Sequence, residues 1–367
     1  MNPNASSRNS PARDVAPPGE LANDSQFFLF SVLLSSLCTL RPCDLCVDSF
    51  SSFLPGAFMS ASETQIDVRT ALKQGLARLR EADVPSFTLA AELLLLHILG
   101  RDRTWIYAHP EEELATPDAA RYFELIARRA AGEPTQHLTG KQEFWGLPFE
   151  INADVLIPRP ETEHVIEVAL DRLAVRELRA GRPRKNNGAG FQIADIGTGS
   201  GCMAVALAIE LPQATVFATD VSPAALAVAR RNAARHSVAD RIHFVECNLL
   251  DSLADPAVGN RRSPLLLDLI ASNPPYIGHR EASALMREVR DHEPEVALYG
   301  GEEGYEFYAD LIAQSGEHLK PGGILVLELG HNSLPAVQPL LDAPTWTNVG
   351  VTNDLAGIPR VLSAERL

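Results

Sequence analysis

The sequence lacks a surplus of positive charge: 32 Lys and Arg stand against 47 Asp and Glu, a formal net charge of −15 over 367 residues. A phosphate backbone is held chiefly by clustered Lys and Arg, so direct nucleic-acid binding is not expected. Cysteine is scarce too. Of the five cysteines, Cys38, Cys43 and Cys46 lie near the N-terminus and Cys202 and Cys247 much later. No second pair or His partner follows Cys43-x-x-Cys46 at ligand spacing, which argues against a zinc site and fits reduced thiols in a cytoplasmic protein. Long apolar runs are missing as well. Phe27 to Leu40 is too short to span a bilayer comfortably, and its upstream flank mixes Arg8 and Arg13 with Glu20 and Asp24, so no membrane partner is expected. What the chain does have, 46% hydrophobic and 22% charged residues, supports a buried core and more than one domain.

Composition and periodicity divide the chain into four parts. Residues 1–60 are rich in Ser, Pro and Asn; they read as a disordered leader or as sequence upstream of the true start, since Met59 immediately precedes the first regular pattern. Residues 61–135 form a small helical bundle, with Val68, Leu72, Leu76 and Leu79 at helical spacing, an apolar helix over Ala90 to Leu99, and another over Asp118 to Arg129 capped by Thr116 or Asp118. A structural role and a partner-recognition role stay equally open for it. Residues 136–163 predict a β-hairpin linker: alternation over 147–151 and 155–157 flanks a turn at Asn152-Ala153-Asp154 and leads into the rigid Pro158-Arg159-Pro160. Glu161, Thr162 and Glu163 then open a helix, where the readings are capping with dipole complementation or a place at the active-site rim.

Residues 164–367 form the last part, in which the period changes from Phe191 onward to short apolar strands alternating with helices. Strands are expected near 191–197, 215–220, 243–248, 265–272, 323–329, 346–353 and 359–364, an α/β doubly wound, Rossmann-like domain. Its first strand runs into Asp195-Ile196-Gly197-Thr198-Gly199-Ser200-Gly201, a glycine-rich turn that lets backbone approach a ligand at a helix N-terminus. Asp220 ends the second strand, where a carboxylate accepts ribose hydroxyls. The spacing G-x-G-x-G differs from the dinucleotide pattern G-x-G-x-x-G, and no Walker lysine follows. A ligand with a ribose but no phosphate fits better, and S-adenosylmethionine is such a ligand.

The fourth strand ends in Asn273-Pro274-Pro275-Tyr276. Each proline restricts the residue before it and neither donates to a sheet ladder, so the strand stops here with its last side chain held in direction. Asn273 offers one carbonyl acceptor and two amide donors, the Pro274 carbonyl a second acceptor, and Tyr276 a flat face for stacking. A planar NH2-bearing guest suits that set, either a Gln or Asn amide or the exocyclic amine of a base. The connection from His279 to Gly304 is long and is read either as a substrate loop over the site or as a surface excursion.

Together these motifs resemble a class I S-adenosylmethionine-dependent methyltransferase of the amino-methylating kind. The wider set, Phe144-Trp145-Gly146, Ile157 to Glu163, Glu293-Pro294 and Ala297 to Gly301, resembles the protein-(glutamine-N5) methyltransferases that modify peptide chain release factors, the HemK/PrmC family. That resemblance covers about residues 64 to 367. It implies methylation of the Gln in the Gly-Gly-Gln loop of class I release factors, with the catalytic role on Asn273, Pro274, Pro275 and Tyr276. It places the cofactor on Asp195, Gly197, Thr198, Gly199, Ser200 and Gly201, on Asp220, on Asn248 and Leu249 near the adenine, and on Asn273. Relatives often carry Asp at the position of Asn248 and some an aromatic at that of Leu249, so this chain loses a negative charge there. The alternatives are a DNA adenine-N6 methyltransferase, which the acidic charge disfavours, and a silent module that docks a translation factor.

Overall fold

The computed structural model describes residues 65–181, 188, 190–253, 264–342 and 344–367. The expected leader over residues 1–60 lies outside the described residues. The bundle comprises α1 (Val68–Glu81), α2 (Phe87–Leu99), α3 (Arg103–Ala108), α4 (Thr116–Ala130) and α5 (Thr135–Thr139). Asp67 caps α1 by accepting from the Thr70 amide at 2.7 Å, satisfying one of the N–H groups that a helix start leaves without a partner. Val68, Leu79, Leu94, Leu95, Tyr122 and Ile126 form its core. Gly75 lets α1 approach α4, since a Cβ there would lie 2.9 Å from the Tyr122 ring carbon Cζ. The cap expected at α4 is corrected: Thr116 is itself the first helical residue, Ala115 precedes it without a side-chain bond, and Pro117 supplies a prefixed φ in the first turn instead.

The hairpin is present one step earlier than its alternation suggests. Strand β1 (Lys141–Phe144) pairs antiparallel with β2 (Leu147–Glu150), and the turn is Trp145-Gly146. Both turn residues have left-handed φ, 55° and 67°, the requirement of the tight turn that matches strand twist. Asn152-Ala153-Asp154 is instead a local turn after β2, in which Asn152 Oδ1 accepts from the Asp154 amide at 3.1 Å.

The large domain opens with a short 3-10 turn (Pro160–Thr162) and α6 (Glu163–Arg179), then β3 (Gln192–Ile196), α7 (Cys202–Glu210), β4 (Thr215–Asp220), α8 (Pro223–Arg235), β5 (Ile242–Glu246) and β6 (Leu267–Ser272). Short helices α9 (Arg287–His292) and α10 (Glu295–Leu298) precede α11 (Glu306–His318), β7 (Leu319–Glu328), β8 (Trp346–Asn353) and β9 (Pro359–Arg366). The sheet order is β5-β4-β3-β6-β7-β9-β8. Pairing is parallel from β5 through β7 and antiparallel at β7·β9 and β9·β8. That closing hairpin is a feature the strand pattern did not reveal. β6 is buried at every position and α7 from Cys202 to Ala208, as expected of elements covered on all sides. The parallel strands all point the same way, so the ends of β3, β4 and β6 share one rim, and in such sheets ligands bind outside that rim where the strand order reverses.

Candidate active site

A cavity of about 280 Å³ opens on that rim. Its floor comes from the ends of β3, β4 and β6 as Ile196, Gly197, Gly199, Asp220, Ser272 and Asn273; Asn248 and Leu249 follow β5, and Pro274 and Pro275 follow β6. Of the residues expected to hold a cofactor, Gly197, Gly199, Asp220, Asn248, Leu249 and Asn273 line it. Gly197 and Gly199 have φ of 69° and 54°, and a Cβ on either would meet no atom within 4 Å, so this backbone faces open space a ligand can enter. Asp220 is fixed by two amides, Gly199 N to Oδ2 at 2.9 Å and Ser222 N to Oδ1 at 2.9 Å. Each oxygen keeps a lone pair for a further donor. Burial pushes the Asp220 carboxyl above its ordinary range while those amides pull it back. Among the described lining residues none is Lys, Arg or His. The cavity therefore suits a diol and an apolar group, and is ill suited to a pyrophosphate.

Asp195, Thr198, Ser200 and Gly201 do not line the cavity; the structure assigns them to building the loop. Asp195 is fully buried, and its Oδ2 accepts from the Thr198 hydroxyl at 2.7 Å and from the Ala204 amide at 3.0 Å. One carboxylate thus ties the turn to the first turn of α7. Burial pushes it up to about 7. The Ser200 carbonyl accepts from Asn232 Nδ2 at 2.9 Å, and a Cβ on Gly201 would lie 2.9 Å from the Ala229 Cβ, so Gly201 is the point where the loop packs on α8.

Tyr276 also departs from its expected place. It does not line the cavity: its hydroxyl donates to Glu328 Oε1 at 3.2 Å, and the ring lies against Gly330 on the core side. The stacking surface expected of it is absent from the cavity wall, because a phenol can reach the buried carboxylate of β7 from this backbone. Pro275 remains at the wall, with Phe307 and Tyr299 as the aromatic lining.

The structure gives Thr162 a bonded partner at the site and adds Glu328, which the motifs did not single out. Thr162, expected to cap α6, makes no such bond. Its hydroxyl instead donates to Glu328 Oε2 at 2.6 Å and accepts from Asn273 Nδ2 at 3.0 Å. Of the two acids beside it, Glu163 accepts from the Trp145 amide at 2.7 Å, which pins the hairpin turn to the start of α6. The long connection after the motif lies over the site: Pro294, Val296, Ala297 and Tyr299 line the cavity. It is tied down by Glu293, which accepts from the Ile157 amide at 3.1 Å and pairs with Arg159 at 2.5 Å. It also reaches the bundle, where Glu288 of α9 pairs with Arg129 of α4.

Two family models match the chain. Residues 70–140 match the family model "PrmC N-terminal domain" and residues 183–293 the model "Methyltransferase small domain". The chain is 44% identical to the release factor glutamine methyltransferase of Koribacter versatilis over 295 residues, which span 80% of this chain and 97% of that protein. It is 40% identical to the protein of the same name from Bradyrhizobium diazoefficiens over 301 residues, 82% of this chain and 95% of that one.

Proposed function

The chain belongs to the release factor glutamine methyltransferase family, and from that premise we propose that it transfers a methyl group from S-adenosylmethionine to the side-chain amide nitrogen (N5) of the Gln in the Gly-Gly-Gln loop of class I release factors. One observation carries this reading: Asn273 stands at the cavity wall with its own amide nitrogen already engaged by Thr162.

S-adenosylmethionine, when bound, supplies an electrophilic methyl on a sulfonium. Asp220 accepts the ribose hydroxyls, the Gly197 and Gly199 backbone allows close approach, and Asn248 and Leu249 flank the base. A carboxamide nitrogen is a weak nucleophile because its lone pair is shared with the carbonyl, so the protein's task is to aim it. Asn273 Oδ1 and the Pro274 carbonyl accept the two N–H bonds of the substrate amide and turn its nitrogen toward the cofactor end of the cavity. Holding a near-attack pair in this way contributes on the order of 7–11 kcal/mol, so no strong general base is needed. The amide proton leaves after transfer, to water at the cavity mouth.

The test is intact-mass analysis of a recombinant class I release factor incubated with this protein and S-adenosylmethionine, followed by peptide mapping. One added methyl on the Gly-Gly-Gln glutamine is expected. A methyl on duplex DNA and none on the release factor would overturn the substrate assignment.

A further inference from the structure

The Asn273 amide can present either its oxygen or its nitrogen to the cavity, and the two choices have opposite consequences. With the oxygen outward it accepts from a substrate N–H; with the nitrogen outward it confronts that N–H with another donor. Building on the proposed amide acceptor, we infer that Thr162 and Glu328 are positioning residues that fix which end of the Asn273 amide faces the substrate.

The argument is one of proton counting. A hydroxyl has one proton to give. Thr162 gives it to Glu328 Oε2 at 2.6 Å, the short distance of a hydroxyl on a carboxylate. It can then only accept from its other neighbour, so the atom of Asn273 that lies 3.0 Å away must be the nitrogen. The oxygen is left for the cavity. Glu328 is held to this role from its other side, where Oε1 accepts from the Tyr276 hydroxyl at 3.2 Å. The strand end itself is locked by Tyr308 of α11, whose hydroxyl donates to the Glu328 backbone carbonyl at 2.7 Å. Thr162 and Glu328 are 3% and 0% exposed, so no bulk water competes for these bonds. The relay joins three distant stretches, the Ile157 to Glu163 motif, the Asn-Pro-Pro-Tyr motif and the end of β7. It also gives the tyrosine of the second motif a task away from the substrate.

The relay depends on Glu328 accepting at both oxygens, which requires the carboxylate. Once protonated, Glu328 becomes a donor at one oxygen; the Thr162 hydroxyl is then free to reverse and to stabilise the opposite amide orientation. The groups facing Glu328 are Thr162 from the 3-10 turn, Tyr276 from the motif, Arg360 from β9, Tyr308 from α11, Cys202 from α7 and the nearby Glu161. Burial raises its pKa to about 7, with Thr162, Arg360 and Tyr276 opposing that rise and Glu161 adding to it. Arg360 is itself committed to Asp354 at 3.1 Å.

Two measurements on the full chain test the inference. The first is steady-state transfer to a release factor by Thr162→Val, Thr162→Ser and Glu328→Gln, with cofactor affinity and melting temperature measured alongside. Thr162→Val is expected to lower kcat by about 10²-fold, as for loss of one catalytic hydrogen-bonding element, with cofactor affinity within about twofold of wild type. Thr162→Ser is expected to recover to within about threefold, since it keeps the hydroxyl. Wild-type kcat is expected to fall with pH below about 7, while Glu328→Gln, which cannot titrate, loses that limb. A Thr162→Val enzyme with wild-type kcat would sink the idea. The second measurement needs no substrate: the side-chain amide resonances of Asn273, identified by their loss in Asn273→Asp, are followed against pH. They are expected to titrate in the wild type and stay fixed in Glu328→Gln; resonances that never move would overturn the inference. Absence of transfer to any release factor by the wild type would instead refute the substrate reading, and the resonance experiment would still decide the positioning role.

Discussion

The two ends of the central sheet treat buried acid in opposite ways. At the end where the parallel strands begin, Asp268 of β6 is surrounded by cations: Arg176 of α6 at 2.9 Å and Lys320 of β7 at 2.7 Å, with the Gln192 amide of β3 completing its shell. At the end where they finish, Asp195 and Glu328 are fully buried and are held by hydroxyls and an amide, with no ion pair. Burial raises both to about 7. The lower cluster fastens three strands and a helix. The upper carboxylates hold the glycine-rich loop and the Thr162 hydroxyl in place beside a cavity lined by no Lys, Arg or His, where a cation would repel a sulfonium. Direct ion pairing thus holds Asp268 at one end, while at the other Asp195 and Glu328 rest on neutral donors and the nearby arginines pair elsewhere, Arg360 with Asp354 and Arg159 with Glu293.

Four substitutions probe that contrast. The largest effect is expected from Asn273→Ala, a loss of about 10³-fold in kcat with cofactor affinity nearly unchanged by calorimetry, because the proposed substrate acceptor is gone while Asp220, Gly197, Gly199, Asn248 and Leu249 remain. Equal losses in both would blur the division of the site. Next, Asp268→Ala removes the carboxylate shared by Arg176 and Lys320; Lys320 is partly exposed and Arg176 keeps Glu177 at 3.8 Å, so unfolding in urea is expected to lose about 1–3 kcal/mol while kcat per folded molecule is retained. A fall in kcat there would show that the two ends are coupled. Asp220→Ala should weaken cofactor binding by roughly 10- to 100-fold, the worth of one or two hydrogen bonds to a charged acceptor, with a smaller effect on kcat at saturation.

The smallest effect is a difference between two pH values. Glu328 has a folded-state pKa raised to about 7, so its contribution to stability is full below the unfolded value and is lost as pH rises through about 7. Glu328→Gln is therefore expected to be neutral or destabilising at pH near 5 and stabilising, by roughly 1–3 kcal/mol, at pH near 8. Identical denaturation midpoints relative to wild type at both values would contradict the burial of an ionised carboxylate there.

What could be read from the sequence is what lies contiguous in it. The glycine-rich turn, Asp220 and the Asn-Pro-Pro-Tyr motif are local signals, and Gly197, Gly199, Asp220 and Asn273 to Pro275 meet at the cavity because parallel strands deliver their ends to one rim. The relay through Thr162 and Glu328 was not legible, since its bonds join residues 111 and 166 positions apart. One signal was nevertheless present: Glu328 ends the apolar run Ile324 to Leu327, and a single acid at the tip of a buried strand requires hydrogen-bonding partners. The hairpin register was missed because Trp145 adopts a left-handed φ that aromatic residues seldom take, so the turn chemistry pointed to Asn152 instead. The final antiparallel hairpin was hidden because buried strands look alike whichever way they run.

Ile277, just past the motif, donates its amide to Leu298 at 3.0 Å and receives the Gly300 amide at 3.0 Å, while His279 bonds to the Gly301 carbonyl at 3.0 Å. Close contact makes this possible, since a Cβ on Gly300 would lie 2.9 Å from the Pro275 carbonyl carbon. The cavity wall and the backbone that carries Asn273 are consequently laced into one ladder. In deuterium exchange, the amides of Ile277, His279 and Gly300 should open and close as a single unit, and a ligand that slows one should slow all of them.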